Sequence, residues 1–383
     1  MKVTRIIDSF YPFMSGPAKE AFYFSSYLEK NGIPSPVYTS FLDVSNVPAE
    51  QTVENVHILR YPIKYRFMRF VYTPQMKHAL NLEDMDVVHA HNYRSYQSHL
   101  GYKIARKKKI PFVINPCGGL LGYKAYLKGV KSLPYRIYDF LTRKKIILGA
   151  AKVIVESKKE FDEALKFGVH AEKIKLIPMG IDYLQYYNKS KEFLPCDSKN
   201  PLKILFVGRI ARNRNLEPII EAMRCLENVE LRIVGDEAYI SQGLKEGYIS
   251  ELQQLSKKYH LEDKIFFVGA KYDKDLINEY KSADCFVYTS LSENFGQPIQ
   301  EAAAAGLPLI CTRIGIALDI IVEDVTGFFV NFNSPEEIVE KLEKLKSLEK
   351  RRSMSANIQD IIKTNYSWDK IIGEYISVYE EIQ

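Results

Sequence analysis

Short apolar runs that read as strands alternate with amphipathic stretches of helical period, and the alternation runs through this chain twice. The first series places strands at 2–10, 36–40, 57–61, 86–91, 111–115, 151–156 and 174–178. A helix from about Ala18 to Lys30 opens after Pro17 and stops at Gly32. The polar segment KSKEFLPCDSKNP, residues 189–201, interrupts the series and reads as a linker. The pattern restarts with LKILFVGR (202–209) and a helix near 216–227, then strands at 229–234, 264–268, 284–289 and 307–312. Strands joined through helices pair in parallel, because a crossover of that length returns the chain to the same end of the sheet. The pattern predicts an α/β fold with two doubly wound parallel sheets, in a domain over 1–195 and a domain over 201–366, facing a central cleft. Ligands of open α/β sheets bind beyond the carboxyl ends of the strands. The loops just after strands are therefore where chemistry is sought.

Composition removes several classes. The 383 residues are 46% hydrophobic and 26% charged, ordinary for a globular chain and long enough for two cores. The five cysteines, Cys117, Cys196, Cys225, Cys285 and Cys311, are scattered without a C-x-x-C pair, which disfavours a disulfide framework and a cysteine zinc site. MKVTRIIDSFYPF reads as a strand rather than a signal peptide, and no apolar run approaches the ~20 residues of a membrane span. A cytoplasmic protein is expected.

Charge is divided unevenly. Residues 1–200 carry 31 Lys and Arg against 18 Asp and Glu, whereas the remainder carries 22 against 29. Within 60–145 the balance is 18 to 4, with aromatics among the cations in RYPIKYRFMRFVY from Arg60 and YKAYLKGVKSLPYRIYDFLTRKK from Tyr123. Such a surface suits an anionic partner: an anionic membrane surface, where each cation contributes about 1 kcal/mol, or a phosphorylated acceptor. The alternative is a solvated basic face over buried tyrosines. No RRM, KH or helix-turn-helix signature points to nucleic acid.

The richest loop is SLSENFGQPIQEAAAAG, 290–306. Asn294 lies in it, Pro298 opens a helix, and the N–H groups of Phe295, Gly296 and Gln297 would project where the helix dipole favours an anion. Glu293 and Glu301, eight residues apart, flank that turn. Carboxylates beside a phosphate cradle suit the hydroxyls of a ribose and a sugar; a solvated loop glutamate and a helix-dipole glutamate are the plain structural reading. After LKILFV, Gly208 and Arg209 end a strand and Arg214 follows five residues later. Two guanidiniums converging there would neutralise a diphosphate, each hydrogen bond to charge contributing about 1.5–3 kcal/mol. In the first half, Ser15-Gly16-Pro17 offers a small-residue wall. HAHNYRSY follows the strand DVVHAH and presents His89, His91, Asn92 and Tyr93, as ligand contacts or as satisfied loop residues. No third ligand stands out beside the two histidines, so no metal is expected.

Taken in order, SGPA, DVVHAHN, AAKVIVES, KLIPMGID, FVGR with a cation five residues on, LRIVGD, IFFVGA, SENFGQPIQEA, GLPLICT, EDVTGFFV and the terminal SW…Y helix resemble the retaining GT-B glycosyltransferases of family 4, over essentially the whole chain. The resemblance implies that Arg209 and Arg214 clamp the diphosphate of a nucleotide diphosphate sugar. It also implies that Glu301 meets the ribose, Glu293 the sugar, the 295–297 backbone the phosphate and sugar, and Gly269, Ala270 and Lys271 the nucleobase. The terminal helix, 367–383, would cross back to the first domain, which would be the acceptor side, with Ser15, His91, Asn92, Tyr93, Cys117 and Gly118 toward the acceptor and Gly16 toward the donor. The chain departs from its relatives at Ser15, where they often have glycine, at Arg214, often lysine, and at Met179, commonly asparagine. Many relatives also have a histidine where Cys117 precedes Gly118 in NPCGG (115–119). A role for that histidine does not carry over, and Cys117 as a nucleophile lacks a paired base.

The expected reaction is retaining transfer of a hexosyl-type sugar, from UDP- in preference to GDP-sugar, to a lipid-linked or saccharide acceptor. It uses no cofactor and no metal, since two cations and a helix start stabilise the leaving diphosphate. The resemblance implies front-face attack, with the departing phosphate oxygen taking the acceptor proton, which removes the need for a side-chain base. The alternatives are a non-catalytic sugar-nucleotide-binding subunit and a GT-B sugar-nucleotide 2-epimerase. A nicotinamide dehydrogenase would need G-x-G-x-x-G after a strand, which neither FVGRIARN nor IIDSFYP provides.

Overall fold

The computed structural model describes residues 1–13, 15–67, 70–118, 120–125, 129–187, 193–237, 239–241, 244–245 and 247–383. Part of the expected linker (189–192) and parts of the two basic stretches (68–69 and 126–128) lie outside the described residues. The chain forms two compact units, Met1–Met179 with Trp368–Gln383, and Gly180–Ser367.

Among the described residues the first unit's sheet has eight strands, in the order Ile174–Leu176, Lys152–Val155, Phe112–Asn115, Val87–His91, Val3–Ile6, Val37–Ser40, Val56–Tyr61 and Glu50–Val53. All pairs are parallel except the last, where Glu50–Val53 runs antiparallel to Val56–Tyr61. That edge strand is not among those expected from the sequence, because its polar residues EQTV are half-exposed or exposed and carry no apolar run. Neighbouring residues divide between two core clusters: Ile6 and Tyr38 belong to one, Ile7 and Val37 to the other. This period of two means that apolar cover lies on both faces of the sheet, as parallel sheets require. Ser15 caps the helix Gly16–Lys30, accepting from the Ala18 N–H at 3.4 Å. The helix Trp368–Ile382 docks on it, with Trp368 against Tyr23, Phe24 and Tyr27 at centroid distances of 5.1–5.4 Å.

The second unit's described sheet has six strands, all parallel, ordered Ile265–Gly269, Val229–Val234, Leu202–Val207, Cys285–Tyr288, Leu309–Cys311 and Gly327–Phe329. The last of these is three residues long, too short for a periodicity reading. Leu202–Val207 has the next strand in sequence on one side and Cys285–Tyr288 on the other, which makes its carboxyl end the topological switch point. This unit begins at Gly180, so residues 180–187 and 193–195, expected in the first domain, lie with it. Arg351, fully buried, donates to the carbonyls of Leu194 and, at 2.6 Å, Leu345, and lies 3.0 Å from Cys196 Sγ.

Candidate active site

The switch point in the second unit is lined by backbone. The Gly208 N–H donates to the Val234 carbonyl at 3.0 Å and the Gly235 N–H to the Gly269 carbonyl at 2.9 Å, so three adjacent strands end in glycine side by side. Gly235 has φ +150, and a Cβ there would lie 1.9 Å from the Gly208 carbonyl oxygen. Only glycine lets these strand ends approach. Gly235 belongs to the LRIVGD motif, but no role for it follows from the sequence alone. Gly269 and Ala270 are exposed and Lys271 half-buried.

Arg209 follows Gly208 and is exposed, with no ion pair among the described residues. Arg214, at the end of the turn Arg212–Arg214, is buried and forms an ion pair with Glu293. Its Nη1 also donates to Ser290 Oγ at 3.0 Å, and its Nε is buried without a partner. Tyr288, the last residue of its strand, donates from its hydroxyl to Glu293 Oε1 at 2.7 Å, and its ring lies 5.8 Å beneath the Arg214 guanidinium. The structure thus joins Arg214 to Glu293, the residues assigned to diphosphate and to sugar. Asn294 is half-buried, and Phe295 and Gly296 are buried ahead of the helix Gln297–Ala304. A residue with no sequence signal fixes that loop: the Ile316 N–H donates to the Phe295 carbonyl at 2.6 Å, and a Cβ on Gly315 would lie 2.1 Å from the same oxygen. Glu301 is buried and accepts the Tyr280 hydroxyl at 2.9 Å.

In the first unit the sequence-assigned residues divide into two groups. Asn92, with φ +68, donates to Asp8 Oδ1 at 2.6 Å, and Cys117 and Gly118 are half-buried in the loop after Phe112–Asn115. Ser15 is occupied as a helix cap, and Gly16 is exposed. His91 and Tyr93, in contrast, are core residues. Tyr93 is 2% exposed, its hydroxyl 2.9 Å from Thr142 Oγ1. His91 is fully buried in a polar network drawn from five segments. Arg5 Nη1 donates to His91 Nε2 at 3.0 Å and to His89 Nδ1 at 3.1 Å, and Arg5 Nη2 to the Tyr379 hydroxyl at 3.3 Å. His89 Nε2 is 2.8 Å from Asn115 Oδ1, and Asn115 Nδ2 donates to Glu20 Oε1 at 2.5 Å. Burial and the neighbouring Arg5 charge hold both histidines neutral, well below their usual pKa.

The fold does bring further ligand types to His91: Glu20 and Cys117, with the three donor atoms within 4.8 Å of one another. The chemistry of the set does not fit a metal. Arg5 donates to His91 Nε2, so the proton of the neutral ring sits on Nδ1, the nitrogen facing Glu20 and Cys117. A metal-bound imidazole has the opposite arrangement, giving its outer N–H to an acceptor. Burial, then Glu20 and Glu156, raise the Cys117 thiol well above its usual pKa, so it stands as a thiol and not as the thiolate a nucleophile needs. Burial also raises Glu20 and, more strongly, Glu156, which lies against the Glu20 carboxyl, and pushes Glu160 up to about 7.

The basic stretch presents one clear feature. On the helix Leu133–Ile146, Leu133, Ile137, Phe140 and Leu141 are exposed at helical spacing, Phe140 by 86%. Asp139, the lone acid of that helix, is turned inward and paired through both oxygens with Arg94 at 3.0 and 2.8 Å. No helix of the described residues is long and apolar enough to cross a membrane.

Comparison with known proteins agrees with this geometry. The family described as Glycosyl transferases group 1 matches residues 191–360, and Glycosyltransferase Family 4 matches residues 14–183. An uncharacterized glycosyltransferase of Methanocaldococcus jannaschii is 28% identical over 324 residues, covering 79% of this chain and 76% of that one. The alpha-monoglucosyldiacylglycerol synthase of Streptococcus pneumoniae is 24% identical over 330 residues, 81% of this chain and 70% of its own. In structure, the Anabaena protein HepE, solved with UDP and glucose, superposes with a TM-score of 0.76 over all of both chains at 17% identity, a likeness of fold. Two matched families spanning both halves, on two parallel-sheet units with this site, establish that the chain belongs to the GT-B glycosyltransferases of the family 4 type.

Proposed function

We propose that this glycosyltransferase moves a hexosyl-type sugar from a nucleoside diphosphate, UDP in preference to GDP, to an acceptor hydroxyl with retention of the anomeric configuration. The observation that carries the reading is the Arg214–Glu293 pair beside the three-glycine strand ends, with Arg209 exposed at the same strand end. The second unit would hold the donor. Gly269, Ala270 and Lys271 would border the base, Glu301 would accept from the ribose, and the 295–297 backbone and the two arginines would take the diphosphate. Charge develops on that diphosphate as the glycosidic bond breaks, so cations fixed there bind the transition state more tightly than the ground state. This supplies the stabilisation that a divalent cation would otherwise give, and the reading is of metal-independent transfer. The departing phosphate oxygen takes the acceptor proton, which accords with a Cys117 held as thiol and a His91 sealed in the core.

The first unit would take the acceptor, near Asn92, Cys117 and Gly118. Its exposed apolar helix face, flanked by Arg136, Arg143, Lys144 and Lys145, supports a lipid-linked acceptor reached from an anionic membrane surface. The pneumococcal relative's name, which specifies a glucosylated diacylglycerol, points the same way. A thermal-shift panel of sugar nucleotides tests the donor assignment, because a ligand at 100 times its Kd stabilises by about 2.7 kcal/mol. NMR of the product anomer tests retention. No shift with any UDP- or GDP-sugar would end the reading.

A further inference from the structure

Each carboxylate of the eight-residue pair rests on a buried tyrosine. The Tyr288 hydroxyl donates to Glu293 Oε1 at 2.7 Å, and the Tyr280 hydroxyl to Glu301 Oε2 at 2.9 Å. Both tyrosines are fully buried, so neither hydroxyl is a surface group that meets the carboxylate by chance. Their rings belong to one run of aromatic contacts, tilted between Tyr280 and Phe286 and stacked from Phe286 to Phe206. Tyr280 lies 6.1 Å from Phe286, Phe286 5.8 Å from Tyr288, and Tyr288 5.3 Å from Phe206, centroid to centroid. Phe206 is on the strand that ends at Gly208, and the Tyr288 hydroxyl lies 3.5 Å from where a Gly208 Cβ would be. The aromatic run therefore ties the glycine strand end to both carboxylates through rigid side chains.

A glutamate has three side-chain torsions, and a loop glutamate that is to meet a sugar hydroxyl must be held in one rotamer to do so. In this structure Glu293 Oε1 takes both Tyr288 and the Arg214 Nη1. A diphosphate binding Arg214 would draw on that guanidinium, and the Tyr288 hydroxyl would keep the carboxylate in place. We propose that Tyr288 and Tyr280 are positioning residues, Tyr288 setting Glu293 for the donor's sugar and Tyr280 setting Glu301 for its ribose. The inference rests on the glycosyl-transfer reading and assigns these two tyrosines separable effects.

The test uses Tyr288→Phe and Tyr280→Phe, which keep the rings and delete one hydroxyl each. Affinities for UDP, for GDP and for the sugar nucleotide giving the largest thermal shift are measured by calorimetry, with turnover of that donor. Tyr288→Phe should leave nucleoside diphosphate affinity within about twofold and lower turnover about 10- to 100-fold, the equivalent of one hydrogen bond to a charged group. Tyr280→Phe should weaken nucleoside diphosphate binding itself by about tenfold. The double variant Tyr288→Phe with Glu293→Ala should turn over no more slowly than Glu293→Ala alone; a purely structural tyrosine would add its own loss. Wild-type turnover in Tyr288→Phe, unchanged nucleotide affinity in Tyr280→Phe, or additive losses in the double variant would overturn the inference. If the wild-type protein binds neither nucleotide nor sugar nucleotide, the glycosyl-transfer reading falls first and takes the inference with it.

Discussion

Arg214 and Glu293 approach from different loops, and one nitrogen of Arg214, Nη1, serves the Glu293 carboxylate together with the Ser290 hydroxyl at 3.0 Å and the Ser292 carbonyl at 3.5 Å. A cation assigned to the diphosphate and an anion assigned to the sugar are therefore neighbours. Any ligand that engages one changes the electrostatics of the other, and the nearly buried setting keeps water from screening that coupling.

Glu293→Ala and Arg209→Ala should each lower kcat about 10²–10³-fold, the range for deleting one preorganised electrostatic contact. The check is steady-state turnover of the donor found in the thermal-shift panel. Near-wild-type turnover in either variant would contradict the roles assigned here.

Gly235→Ala should cost at least about tenfold in UDP affinity and lower the thermal midpoint. The new methyl group would fall 1.9 Å from the Gly208 carbonyl and drive apart the two strand ends beside Arg209. Calorimetric titration with UDP and a melting curve measure the two effects. A variant with unchanged UDP affinity would remove this strand end from the donor site.

The stability of the wild type relative to Glu160→Gln should fall as pH rises from about 4.5 through 7. Burial lifts the Glu160 carboxyl from 4.5 to about 7, and raises Glu20 and Glu156 as well. In that window the folded chain holds protons that the unfolded chain has released, so deprotonation favours unfolding. Glu160 alone contributes about 3 kcal/mol that is present below the window and lost above it. His89 and His91, held neutral well below their usual pKa, act in the opposite sense below about 6.5. The readout is therefore the melting temperature of the wild type minus that of Glu160→Gln, which should slope downward from pH 5 to 8. A difference that climbs over this range would refute the sign.

Phe140→Glu combined with Leu141→Glu should abolish sedimentation with vesicles containing anionic phospholipid, while leaving nucleotide affinity unchanged. The two side chains are 86% and 65% exposed, so their replacement leaves the core intact. Wild-type binding should weaken as salt is raised, because Lys and Arg near an anionic surface contribute about 1 kcal/mol each before screening. Equal sedimentation of wild type and variant would dissociate this face from the membrane.

Much of the second unit was legible along the chain. Glu293, Gly296 and Glu301 sit within one strand–turn–helix, so their spacing already places them around a single helix start. The partners that hold them were not legible. Tyr280 reads as one more apolar residue of a helix, and Gly315 reaches the Phe295 carbonyl from beyond the next strand. In the first unit, DVVHAHNY signals a strand and a loop but not which polar residues face a ligand. A parallel strand covered on both sides lacks the polar–apolar alternation that separates inward from outward. His91 and Tyr93 were accordingly assigned to the acceptor side, and the fold buries both.

Apart from the edge strands Glu50–Val53 and Gly327–Phe329, local pattern along the chain sets most strands and helices, their parallel pairing, and the loop in which two carboxylates bracket a helix start. These depend on period, chain length and neighbours within a few residues. It takes the folded chain to bring Arg5 to His89 and His91, Glu20 and Cys117 beside them, and Arg214 to Glu293. Such contacts join segments distant along the chain. Their geometry is set by sheet order and packing, which no local pattern records.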